Sequence, residues 1–162
     1  MQKVPNKALM GRWALLPIRL VLGYGFMVHG WAKLSRGPAG FAKLLEWVGA
    51  PLPGVTAWIS TLLELLGGLA LLVGAFVQLV SIPLIVTMLV AMFTVHWRNG
   101  FSAINTVGLT EAGPQFGPPG YEVNLLYIAG LLALTMSGAG PLSIDARRRH
   151  GRDPRAAGST ST

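Results

Sequence analysis

The sequence predicts an all-α integral membrane protein, an antiparallel four-helix bundle crossing the bilayer four times. Three observations carry that reading. Hydrophobic residues make up 52% of the 162 positions and charged residues only 12%, against about 25% charged in an ordinary soluble domain. The charges are unevenly spread, with five of the thirteen basic residues in "ARRRHGRDPR" near the C-terminus. The uncharged stretches left between them match the roughly 20 residues a helix needs to cross a hydrocarbon core.

The first span covers residues 13–33. Within it Arg19 and His29 interrupt the apolar pattern, and Lys33 closes it. Arg19 and the lack of a small-x-small cleavage site argue against a signal peptide, so the segment is read as retained. From Val55 to Trp97 there are 43 residues with only Glu64 and His96 ionisable. One helix of that length would measure about 64 Å, twice the hydrocarbon thickness. The stretch therefore divides at "GAFVQ" into spans at 55–74 and 79–97, with Pro83 near the start of the latter, where proline is tolerated. A fourth span covers 122–140. Together these form a membrane domain over residues 1–145, followed by a basic tail at 146–162 expected to be disordered.

With four spans the two termini share a side. That side holds Lys3, Lys7, Arg12, Arg147, Arg148, Arg149, Arg152 and Arg155, and the other side holds Lys33, Arg36, Lys43 and Arg98. The excess places both termini in the cytoplasm. It also explains the net charge of +7 without nucleic acid, for which no aromatic-basic motif is present. The connection at 35–54 contains a short amphipathic piece, with Phe41, Leu44, Leu45 and Val48 at helical spacing. The 24-residue connection "RNGFSAINTVGLTEAGPQFGPPGY" is a candidate lid or a plain flexible loop.

Ionisable residues inside spans are costly and mark functional positions by default. At 100° per residue His29 and Lys33 lie 80° and 40° from Arg19, which gives the first span one polar face. That face is expected to meet Glu64, and two uses of the carboxylate follow: an anchor paired with Arg19, or a group free to move protons. Gly67 and Gly68 follow Glu64 by about one turn and permit close helix approach. His96 and Arg98 close the third span and Glu122 opens the fourth, so His29, Lys33, His96, Arg98 and Glu122 converge on one membrane face. The chain has no cysteine, which excludes a thiol relay within it. Two histidines on different spans permit haem ligation but nothing fixes their geometry. A di-iron centre would require a Glu-x-x-His pair, which is absent, so no metal is expected. The residue types suit a quinone headgroup site: an apolar cleft with donors to ring oxygens and groups that hold protons.

Five pieces together resemble a known family. They are "RLVLGYGFMVHGWAKL" (Arg19–Leu34), "LLELLGGLALLVG" (Leu62–Gly74), "HWRNGF" (His96–Phe101), "GYEVNLLY" (Gly120–Tyr127) and "GAGPLSID" (Gly138–Asp145). In order and spacing they resemble the DoxX family of small four-span membrane proteins, related to the DoxD subunit of thiosulfate:quinone oxidoreductase. The resemblance implies a four-helix bundle in a bacterial inner membrane. It also implies an oxidoreductase subunit that uses a quinone (ubiquinone or menaquinone) beside partner subunits, or within a homo-oligomer. Glu64, Glu122, His29 and His96 are the candidate catalytic residues, and Arg19, Lys33 and Arg98 the candidate substrate-binding residues. Asp145 closes the last motif. The alternatives are a non-enzymatic scaffold or accessory subunit and, with oligomerisation, a small transporter or lipid-binding protein.

Overall fold

The computed structural model describes residues 7–150, with side chains from Met10 to Arg148. Lys3, Arg152, Arg155 and most of the expected disordered tail lie outside the described residues. The chain is mostly helical. Helix α1 covers Lys7–Ser35, α2 Pro38–Trp47, α3 Pro53–Val73, α4 Val77–Ala91, α5 Glu122–Ser137 and α6 Ile144–His150. Beyond α4 the chain continues through a π-helical turn at Met92–His96 and a 3₁₀ turn at Trp97–Asn99. Three segments, Met10–Ser35, Pro53–Val73 and Val77–Asn99, are long and apolar enough to cross a membrane. Their outward faces carry Val21, Leu66 and Leu79, all well exposed. Burying such surface takes lipid rather than water.

Helix α1 packs on α3 and α5, α4 packs on the same two helices, and α2 lies against α3. The core between the four long helices contains Leu15, Leu22, Phe26, Leu71, Val77, Leu84, Leu131 and Leu134. The closest approach is between α1 and α3. A Cβ on Gly68 would lie 2.6 Å from the Met27 amide nitrogen and 2.7 Å from the Gly23 carbonyl oxygen. One on Gly30 would lie 2.5 Å from the Leu65 nitrogen. Gly67 faces the opposite neighbour, Leu84 of α4, so the adjacent glycines serve two different helices. Replacing Gly68 by alanine should therefore drive backbone from backbone and cost about 1–3 kcal/mol. Gly40→Ala, where the new methyl meets open space, is the control. Thermal unfolding of detergent-solubilised protein would compare the two.

The α3–α4 turn is only Gly74–Phe76. Gly74 adopts the left-handed conformation (φ 70°), and the Ala75 and Gly74 amides donate back to Ala70 and Leu71. This closes α3 with a Schellman motif. Phe76 is also left-handed (φ 51°), and Asp145 holds it there. Its carboxylate accepts from the Phe76 amide at 2.9 Å and the Val77 amide at 3.0 Å, capping the positive end of α4. Helix α4 thus begins at Val77, two residues earlier than the sequence pattern indicates. Pro83 falls in its second turn and removes the bond to the Leu79 carbonyl.

Three departures from the sequence reading have local causes. The chain is not all-α. Thr106–Thr110 (β1) pairs antiparallel with Gly113–Phe116 (β2), because Thr, Val and Leu suit a strand and Gly113 (φ 119°) lets the chain re-enter the pairing directly after the turn at Glu111 and Ala112. Helix α5 ends at Ser137 rather than 140, because Gly138 leaves helical geometry and Pro141 follows. Its 16 residues span about 24 Å, less than the hydrocarbon core. The tail starts as α6, so residues 146–150 are helical rather than disordered.

Candidate functional site

Because α1 and α3 run in opposite directions and Gly30 lies against Leu65, positions just beyond Gly30 meet positions just before Leu65. Lys33 therefore meets Glu64. Its Nζ donates to Glu64 Oε1 at 2.7 Å and to Ser60 Oγ at 3.2 Å. It also sits over the Phe41 ring, 4.1 Å from the centroid, a cation–π contact supplied by α2. Ser60 and Glu64 are four residues apart and share one face of α3. The Glu64 side chain is 3% exposed and that of Lys33 22%. Glu64 Oε2 is buried with no hydrogen-bond partner.

Arg19 does not pair with Glu64. It lies eleven residues before Gly30, about 16 Å back along α1, at the end where α5 stops and α6 begins. There it donates to the carbonyls of Ala139 (2.5 Å), Leu142 (2.9 Å) and Pro141 (3.4 Å). These carbonyls are free because the chain leaves helical geometry after Ser137. At 1% exposure Arg19 is an internal clamp with no access to a ligand in the cleft described next.

A cleft of about 730 Å³ runs between α3 and α4, with α1 and α5 behind it and α2 along one side. Its lining is mostly apolar. His29, Lys33, Ser60, Glu64, His96, Asn124 and Tyr127 supply the polar atoms of interest. Exposed Ile59, Ile82, Val86 and Val90 form its apolar rim. The cleft follows α4 from Ile82 to His96, about 20 Å. His96 stands on the π-helical turn, a geometry frequent at functional sites. Its Nδ1 lies 3.0 Å from the Pro119 carbonyl oxygen. A carbonyl only accepts, so Nδ1 carries the hydrogen and a neutral ring presents Nε2 as an acceptor. This reverses the role of ring-oxygen donor that the residue type alone indicates.

Of the seven candidate residues, His29, Lys33, Glu64 and His96 line this cleft and Arg19, Arg98 and Glu122 do not. Arg98 lies over the Trp47 ring at 4.8 Å. Glu122 accepts from the Ala103 amide at 2.9 Å, fastening the long connection to the start of α5. Only Pro119 and Gly120 of that connection line the cleft; the β-hairpin does not reach it. Ser60, Phe41 and Asn124 are site residues that a search restricted to ionisable positions overlooks. Asn124, in "GYEVNLLY", is buried, with its amide donating at 3.4 Å to the Met88 carbonyl. Among the described residues no three of His, Asp or Glu gather to hold a metal ion.

Apolar helices of membrane length around a mostly apolar cleft with a few polar groups define a small polytopic membrane protein. The DoxX family model matches residues 14–97, just over half of the chain, and the chain belongs to the DoxX family. It is similar to an uncharacterized protein of Haemophilus influenzae (strain ATCC 51907 / DSM 11121 / KW20 / Rd). The two are 28% identical over 130 residues, covering 79% of this chain and 85% of that protein. No solved structure matches.

Proposed function

We propose that this chain is an antiparallel four-span bundle whose α3/α4 cleft binds the head of a membrane quinone, as one subunit of an oxidoreductase assembly. The observation that carries this reading is the cleft itself. It combines an exposed apolar rim with a Lys33–Glu64 pair in its wall whose carboxylate is buried. A prenylated ring needs both, a lipid-side entry for the tail and polar atoms for the head. When bound, such a ring supplies two-electron, two-proton redox chemistry. Lys33 Nζ orients a ring oxygen, the Glu64 carboxylate accepts a proton beside it, and Phe41 with the α2 residues around it keeps water from the pair. The absence of cysteine leaves electron supply to a partner chain. Both termini lie in the bacterial cytoplasm, which single cysteines placed in this cysteine-free chain would test by labelling from either side.

The experiment is a titration of ubiquinone and menaquinone analogues against the purified chain in lipid nanodiscs. Binding in the micromolar range is expected, and for the reduced, hydroxyl-bearing analogues it weakens about tenfold or more in Glu64→Gln, since bonds to charged groups contribute about 1.5–3 kcal/mol. Unchanged affinity in the variant would remove Glu64 from the site.

One observation favours a non-enzymatic accessory role. The β-hairpin exposes Val107, Leu109 and Phe116, with Leu109 82% exposed, an apolar surface outside the cleft. On that reading, serine at these three positions releases a co-purifying stoichiometric partner and leaves the cleft unaffected.

A further inference from the structure

We infer that the cleft selects a ligand head that donates hydrogen bonds, so that the reduced, hydroxyl-bearing form of the ring binds in preference to the oxidised form. The inference rests on the reading of the cleft as a quinone site and deepens it.

The starting point is Glu64 Oε2. The residue is 2% exposed, its other oxygen is held by Lys33, and Oε2 has no partner. A carboxylate oxygen can only accept, so whatever completes it must donate. An unsatisfied buried polar atom is costly and calls for an explanation. Here the residue lines a cleft large enough for a ring.

The remaining lining points the same way. Because Nδ1 donates to the Pro119 carbonyl, the neutral form of the His96 ring presents Nε2 as an acceptor. Three of the cleft donors are already engaged. Lys33 is shared between Glu64, Ser60 and Phe41. The hydroxyls of Thr87 and Thr94 donate to carbonyls four residues back, at 3.1 and 2.8 Å. An oxidised quinone carries only acceptors at its carbonyl positions and would leave Oε2 bare. A phenolic hydroxyl satisfies Oε2 with a charge-assisted bond.

Tighter binding of the reduced form has a redox consequence. A tenfold preference raises the two-electron midpoint potential of the bound ring by about 30 mV, making it a better electron acceptor in place than free in the membrane.

The test uses the full chain in nanodiscs and two redox-inert probes, 4-nonylphenol and its O-methyl ether. They share ring and tail and differ only in the donor, and the phenol is neutral at pH 7. The phenol is expected to bind roughly 10- to 100-fold more tightly. In Glu64→Gln, with the amide oxygen held by Lys33, an N–H₂ replaces Oε2, and the preference should collapse or reverse. Equal binding of the two probes to the wild-type chain overturns this inference alone. So does a preference that survives in Glu64→Gln, because the acceptor is then another atom. Binding of neither probe, together with no binding of the quinone analogues, overturns the quinone reading as well. The wild-type comparison stands even where the variant folds poorly.

Discussion

Lys33→Ala lowers the stability of the chain by about 3–5 kcal/mol, the usual cost of leaving a buried charge without its partner. The size follows from the asymmetry of the pair. Glu64 is 2% exposed and Lys33 supplies its one hydrogen bond, at 2.7 Å. Without the ammonium the carboxylate stays enclosed by α1 and α3 with neither oxygen paired. Alanine also removes the ammonium's cation–π contact with the Phe41 ring. The double variant Lys33→Met, Glu64→Leu should return to within about 1–2 kcal/mol of wild type, because replacing both charges with apolar groups of similar volume is often neutral. Unfolding midpoints of the wild type, Lys33→Met, Glu64→Leu and the double variant, measured in one detergent, form a complete cycle, with Lys33→Ala measured alongside. An unchanged midpoint in Lys33→Ala would show that the pair does not hold α1 to α3, and the small-residue seam would then carry that contact alone.

The same pair shows which parts of the molecule were legible in the sequence. The membrane class and the apolar helices could be read from composition and run length, which register bilayer thickness directly. The family could be read from five short motifs. The polar stripe of α1 could be read from helical phase. Phase specifies a face, however, and says nothing of how far one helix is shifted along its neighbour. That shift is set by Gly23, Gly30 and Gly68 meeting backbone across the α1–α3 seam. It puts Lys33, not Arg19, opposite Glu64. A search confined to titratable residues also passes over Ser60 and Asn124, which are neutral and polar on buried faces. The partners of Arg19 are backbone carbonyls, freed where Gly138 ends α5, and no side-chain pattern announces them. Strand propensity in a Gly-rich connection is weak, so the sequence at 106–116 reads as part of a lid or a plain flexible loop and not as a hairpin.

Arg19→Met is the second large loss, again about 3–5 kcal/mol, since three carbonyls at Ala139, Pro141 and Leu142 lose a charged donor within a buried site. The damage should begin at that end of the molecule. Asp145, whose charge Arg19 feels, caps Phe76 and Val77. Loosening residues 138–145 should therefore speed hydrogen exchange at those two amides before it affects the cleft. Arg19→Lys should recover only part of the loss. A single ammonium cannot reproduce the planar fork that reaches Ala139 with one nitrogen and Leu142 with the other. Arg19 and Lys33 are fourteen residues apart, about 21 Å along α1, so the two sites separate stability from binding. Arg19→Lys should melt earlier yet bind cleft probes with wild-type affinity at low temperature. Lys33→Met with Glu64→Leu should melt near wild type and lose the preference for a hydroxyl donor. If Arg19→Lys weakened probe binding in protein shown to be folded, the two ends of α1 would be coupled, and the clamp at Arg19 would belong to the site as a positioning residue.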